Sequence, residues 1–120
     1  MIINCTLGLG DDVLQVKKPI KIPLFSLGPN FPANQIIKLA CGGMHSLALS
    51  SNGVVFSWGN NDDGALGRQG QENIPLRVAG TLNEPVTELS VGDCHSIAYN
   101  TDTNVIYFWG CYKVSNQEKN

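Results

Sequence analysis

Residues 37–59 read IKLACGGMHSLALSSNGVVFSWG, and residues 87–110 read TELSVGDCHSIAYNTDTNVIYFWG. Laid over one another they are one pattern written twice. Gly42 matches Gly92, His45 matches His95, Ser46 matches Ser96 and Ala48 matches Ala98 at an offset of 50, and Trp58-Gly59 matches Trp109-Gly110 at 51. One residue is therefore inserted in the second copy, between the Ala and the Trp. A second echo lies outside this block: Leu7-Gly8-Leu9 and Leu66-Gly67-Arg68 each precede a Pro-led apolar segment, Pro19-Ile20-Lys21-Ile22 and Pro75-Leu76-Arg77-Val78. The repeat period is about 50 to 60 residues, and a period of that size is the mark of a repeat architecture.

Within a copy, short β-branched and aromatic runs (Ile36 to Ala40, Ser46 to Leu49, Val54 to Trp58) are bounded by Gly, Asn or Ser, which reads as strands and turns. Asn52-Gly53 predicts a tight type I′ hairpin with positive φ at both central positions. Gly42-Gly43 predicts a turn of similar steric origin. Asp102-Thr103-Asn104 replaces the Asn-Gly turn in the second copy and predicts a longer, looser hairpin. With the Pro-led segment upstream as a fourth strand, each unit is a small four-stranded antiparallel sheet. Four strands per unit of about 50 residues is propeller arithmetic. Two units cannot close a ring of four to eight blades, so the chain reads as a piece of a larger propeller or as a truncated product. Alone, it is expected to be marginal in solution and to aggregate or associate into larger rings, because its terminal units expose faces that a ring covers.

The chain has 120 residues, which bounds it at one ordinary domain. A composition 42% hydrophobic and only 15% charged argues for folding rather than disorder. The net charge of −2 argues against binding nucleic acid through overall charge. Charge is unevenly placed: residues 61–120 carry four basic and eight acidic groups, against four and two in residues 1–60. A cationic partner should prefer the second half. No apolar run approaches the ~20 residues of a membrane-spanning helix, and the first residues lack a signal-peptide pattern. A soluble chain in a reducing compartment is expected, with Cys5, Cys41, Cys94 and Cys111 as free thiols and the Asn4-Cys5-Thr6 sequon fortuitous.

The strings Cys41-Gly42-Gly43-Met44-His45-Ser46-Leu47-Ala48-Leu49, Gly53-Val54-Val55-Phe56-Ser57-Trp58-Gly59-Asn60-Asn61 and Gly64-Ala65-Leu66-Gly67-Arg68 resemble a repeat of the regulator of chromosome condensation family. The similarity runs from about Leu7 to about Tyr112. It implies an all-β fold, a partial β-propeller of about two four-stranded antiparallel blades out of seven. The divisions are 1–120 as the partial propeller, 7–67 as the first repeat region, 68–113 as the second and 114–120 as a polar tail. Gly-Gly-Met-His, then Gly-Ala-Leu-Gly-Arg, then Gly-Asp-Cys-His most resembles the first two blades of the family member that exchanges nucleotide on the small GTPase Ran.

That resemblance implies a fragment of a chromatin-associated guanine nucleotide exchange factor for Ran. Such a protein is not an enzyme of covalent chemistry: it binds the nucleotide-free GTPase more tightly, and by linkage the nucleotide is then held more weakly. No cofactor is implied. The implied GTPase contacts are Asp93, His45 and His95 at the blade turns, and Lys113, which follows Tyr112 where the family inserts a short β wedge. Asp93 stands where the first copy has Gly43, so the repeat itself does not require the carboxylate. His45 and His95 can equally serve the blades by bonding nearby backbone, and Trp58 and Trp109 read as core between blades. Localisation is expected to be nuclear, with a cytoplasmic share. Histones or chromatin would be reached through parts of a longer parent, since the family's basic tail and later loops have no counterpart in this sequence; no membrane and no direct nucleic-acid contact are expected.

Two other function classes fit the residues: a propeller-repeat interaction scaffold without exchange activity, and an inactive truncated product. Familiar chemistry is missing. Leu7-Gly8-Leu9-Gly10 lacks the third Gly of a dinucleotide loop and the Gly-Lys of a P-loop. His45-Ser46 and His95-Ser96 are adjacent in strands, so their side chains point to opposite faces and form no hydrolase pair. Asp62-Asp63 lacks the spaced ligands of a calcium loop and reads as a solvated turn. Cys41, His45, Cys94 and His95 could be gathered around zinc only without the close ligand pairs such sites use.

Overall fold

The structure, a computed structural model, describes residues 7–10, 12–13, 15–22, 36–78 and 85–111. Among these residues seven strands form two antiparallel sheets. The first runs β1 (Ile36–Cys41), β2 (His45–Ser50), β3 (Val55–Gly59), β4 (Leu76–Arg77) in spatial order, and the second β5 (Glu88–Val91), β6 (His95–Asn100), β7 (Val105–Gly110). The repeat is exact enough in register to align the sheets: His45 faces Gly59 as His95 faces Gly110, and Ser46 faces Trp58 as Ser96 faces Trp109. Among the described residues no helix is long and apolar enough to cross a membrane.

The fourth strand departs from expectation. The Pro75-led segment belongs to the unit before it, not the one after: Phe56 pairs with Arg77 and Ser57 with Leu76. The reason is Arg68. Its guanidinium is buried and donates to the carbonyls of Gln69, Gln71, Ser57 and Ile74 at 2.6 to 3.2 Å, which folds 68–74 back onto β3. Gly59 N donates to Glu72 O and Val78 N to Val55 O along the same edge. Pro19 to Ile22, the echo of that segment, forms no strand; Ile22 instead packs on Ala48, Phe56 and Trp58.

The turns also differ in kind. Gly53 has φ of 87°, but among the described residues the only non-glycine with positive φ is Asn104, so Asn52-Gly53 is not type I′. Gly53 N donates to Ser50 O and Ser50 N to Val54 O: a three-residue loop with glycine in the left-handed position. The second hairpin is longer but not looser. Asn100 Oδ1 accepts from Asp102 N and Thr103 N at 2.8 and 3.0 Å, and Asn104 takes the left-handed place. Gly42 and Gly43 have ordinary φ; they are needed for room, since a Cβ would strike the His45 ring at one and the Asp93 carboxylate at the other.

The sheets pack face to face. Leu47, Leu49 and Val55 of the first meet Ala98 of the second, with Val78 and Val86 between them and Leu89, Val91 and Trp109 at the margin. Each such fully buried aliphatic side chain is worth about 1.5 to 3 kcal/mol. The opposite face of the first sheet carries a smaller cluster of Ala48, Phe56 and Trp58, covered in part by Ile22.

Candidate functional site

The joint between sheets is built from repeat-matched residues. His45 is 2% exposed, and its Nε2 lies 2.9 Å from Ser96 Oγ. Ser96 Oγ donates to Ala65 O at 2.9 Å. Since that uses the only serine proton, His45 Nε2–H is the donor in the first bond. Trp109 Nε1 donates to the same carbonyl at 2.8 Å. Its indole lies against Gly67, where φ is 65° and a Cβ would come within 2.7 Å of Nε1; only glycine satisfies both demands. Gly8 stands against the Trp58 indole in the same way, which explains the Leu-Gly echo. Burial holds the His45 pKa below its ordinary value, against the opposing pull of a backbone hydrogen bond at His95.

At the same end the turns step onto one another. Gly43 N donates to Asp93 O at 3.1 Å, and the Asp93 side chain lies over Gly43. Asn61 shapes the neighbouring loop: its Oδ1 accepts from Leu66 N and its Nδ2 donates to Arg68 O. Together they enclose a cleft of about 250 Å³ lined by Gly43, Met44, Asn60, Asp63, Asp93 and Cys94, with His45 also on its wall. Two carboxylates, Asp63 and Asp93, stand exposed at its rim. Among the described residues the one ion pair is Lys38 Nζ to Glu88 Oε1, 3.1 Å, so neither rim carboxylate is neutralised by a Lys or Arg there. A hydrogen bond with the Asp63 side chain, followed by desolvation and the charge of Asp93, pushes the Cys94 thiol up to about 11. At neutral pH it is a thiol, and no nucleophile.

The expected site residues therefore separate. Asp93 is exposed at the cleft, while His45 is committed to the joint. His95 occupies the equivalent turn but is only half-buried, stacking on Phe108 with centroids 5.3 Å apart and 22° between planes. Lys113 lies outside the described residues. Asp63, read from sequence as part of a solvated turn, shares the cleft with Asp93. Ser96 is the residue the sequence reading undervalued: its repetition as Ser46 and Ser96 marks it, but its partner Ala65 is 31 residues away.

The family model described as the Regulator of chromosome condensation (RCC1) repeat matches residues 52–99, and a second of the same description matches 36–65; together they span more than half of the chain. The chain belongs to the regulator of chromosome condensation repeat family. It is 40% identical over 114 residues to the Regulator of chromosome condensation of Mus musculus, a match covering 92% of this chain and 24% of that protein. It is 37% identical over 109 residues to the E3 ubiquitin-protein ligase HERC2 of Homo sapiens, covering 87% of this chain and 2% of that one. Among solved structures it resembles Prp20p from Saccharomyces cerevisiae, studied for its binding to Gsp1p and histones, with a TM-score of 0.76, 35% identity, and coverage of 92% and 27%. The chain thus spans about a quarter of the length of the regulator relatives it matches. Repeats of this family fold as β-propeller blades, and the two sheets are two such blades, the second with three strands among the described residues.

Proposed function

We propose that this chain is part of a chromatin-associated, nuclear guanine nucleotide exchange factor for the small GTPase Ran, acting by stabilising the nucleotide-free GTPase. The supporting observation is Asp93: an exposed carboxylate, unneutralised by any described cation, on a turn whose backbone is fixed by Gly43 and whose first-copy equivalent has no side chain at all. Resemblance over 92% of the chain to Prp20p, which was studied for binding to Gsp1p and histones, supports the choice of partners. In this reading Asp93, with Asp63 beside it, meets a cationic side chain of the GTPase. His45 acts as a positioning residue through the joint, and His95 and Lys113 are further contacts. The chain does no covalent chemistry; a preference for the empty GTPase weakens nucleotide binding by the same factor.

The test is to titrate the 120-residue chain into Ran stripped of nucleotide and into Ran loaded with GDP, by calorimetry. Expected is at least tenfold tighter binding to the empty form, equivalent to about 1.4 kcal/mol, together with faster release of labelled GDP. Equal affinity for both forms overturns the exchange reading. The likeness to HERC2 favours a second reading, an interaction module without exchange activity, which predicts no binding to either form.

A further inference from the structure

Two cysteines stand opposite one another at the turn end of the second sheet. The register of β6 and β7 that sets His95 against Gly110 sets Cys94 against Cys111 one step further on, and Cys111 N donates to Cys94 O at 2.9 Å. Residues paired by such a bond across antiparallel strands hold their Cα atoms about 5.5 Å apart, with their side chains on one face, and a disulfide spans about 4.4 to 6.8 Å between Cα atoms. The backbone pairing already suits a disulfide.

The first copy shows where a pair of side chains in this register goes. There the same places hold Met44 and Asn60, joined by the same bond, Asn60 N to Met44 O at 2.8 Å, and the glycine just before has the same left-handed backbone, with φ of 116° at Gly59 and 100° at Gly110. Met44 and Asn60 both line one cleft, so side chains at these places share a space. Neither is a cysteine. The turn therefore folds without sulfur at either place, and the two thiols of the second copy are not required by the repeat. Both are reduced and half-buried, within reach of small molecules. Cys41, the other described cysteine, lies opposite Ser46, so among the described residues no other two cysteines face each other across a ladder.

We propose that Cys94 and Cys111 are a redox site of the second sheet, closing to a cross-strand disulfide when they meet a small-molecule disulfide such as oxidised glutathione. First the Cys111 sulfur, its proton released to solvent, attacks one sulfur of the oxidant; that S–S bond breaks, and one glutathione leaves as a thiolate that takes up a proton. Then the Cys94 sulfur, likewise deprotonated, attacks the Cys111 sulfur and displaces the second glutathione. Two protein thiols are oxidised and one disulfide is reduced to two thiols. The order follows from the cleft. A hydrogen bond with Asp63 leads the causes that push the Cys94 thiol up to about 11, so its attack falls to the intramolecular step, when the activated sulfur is held across the ladder. Closure draws the Cys94 sulfur from Asp63 and from Asp93, whose carboxylate it meets at 3.8 Å, and so changes the wall of the acidic cleft.

The test treats the whole folded chain with oxidised glutathione at mildly alkaline pH, blocks the remaining thiols by alkylation and reads the masses. Expected is the loss of two of the four cysteine thiols, with cleavage at Asp102, between the two cysteines, giving fragments held together until a reductant is added. Cys94→Ser and Cys111→Ser should each lose that link and stop at a glutathione adduct of the remaining partner; near-UV circular dichroism confirms that each folds, and the Ala variant replaces one that does not. In mixtures of reduced and oxidised glutathione the link should be favoured at least tenfold more in the folded chain than in urea, because folding has already set the strands side by side. The proposal is overturned if all four thiols stay free or carry only glutathione, if oxidation joins other cysteines or separate molecules instead, or if the link is equally favoured in folded and unfolded chains. The measurement involves no GTPase, so its outcome is independent of the exchange reading.

Discussion

The two sheets have nearly the same sequence pattern and different surroundings. Along β3 all five residues are buried, whereas along β7, its repeat equivalent, half-buried and exposed residues alternate. Among the described residues the first sheet is covered on one face by the second sheet and on the other by Ile22, Ile36 and Val54, while the second is covered on one face only. A repeat unit here is therefore not a self-sufficient core. Its Ser and Trp clip the loop of the unit before it, and its His waits for the Ser of the unit after it, so stability lies in the joint as much as in the sheet.

The largest consequence concerns matched core positions. Leu47→Ala removes a fully buried side chain and should cost about 2 to 5 kcal/mol, while Ile106→Ala on the open face should change stability by less than about 0.5 kcal/mol in dilute solution. Urea titrations of both decide this; equal costs would erase the distinction between the sheets. Next is Arg68→Leu, which strips four backbone carbonyls of their buried donor. A loss of about 3 kcal/mol is expected, the upper range for leaving a buried group unpaired. Hydrogen exchange should quicken most at Val78, whose N–H holds the β4 edge to Val55.

A smaller effect separates the two serines. Ser96→Ala breaks the bonds to His45 and Ala65 and should cost about 1 to 2 kcal/mol; Ser46→Ala, at the same place in the first sheet, should fall within about 0.5 kcal/mol. The smallest is a pH effect. His45 is buried as the neutral ring with its pKa lowered, so the unfolded chain binds the proton more readily. The contribution of neutral His45 is complete above the ordinary histidine range, near 6.5, and is lost as pH falls below it, by at most about 1.4 kcal/mol per pH unit. His45→Gln should flatten that slope; an unchanged slope would assign it elsewhere.

Much of this was legible in the chain. The offset of His45 to His95 and Trp58 to Trp109 sufficed for two equivalent sheets, because strand period and turn chemistry are local. What escaped was non-local. The Pro75 strand reads the same whichever sheet it joins, and only the guanidinium of Arg68 folding back to Ser57 O decides. Gly42 and Gly43 are marked as special by sequence, but the reason needs the folded turn and the joint: at Gly42 the His45 ring of the same turn and Gly92 O of the second sheet need the space, and at Gly43 the Asp93 carboxylate from across the joint does. At the cleft, Asp93 stood out because Gly43 replaces it in the first copy. Asp63 did not, since its approach to Cys94 depends on the loop that Asn61 shapes.

The most direct trial sets Asp93→Ala beside Ser96→Ala, measuring for each a thermal melt and the affinity for nucleotide-free Ran on the same preparation. Expected is a crossed result: Ser96→Ala lowers the melting temperature and leaves affinity per folded molecule alone, while Asp93→Ala leaves the melt alone and weakens binding about tenfold, or roughly 1.4 kcal/mol. A lowered melt with unchanged affinity for Asp93→Ala would make that carboxylate a support of the Gly43 turn and remove it from the partner-binding face.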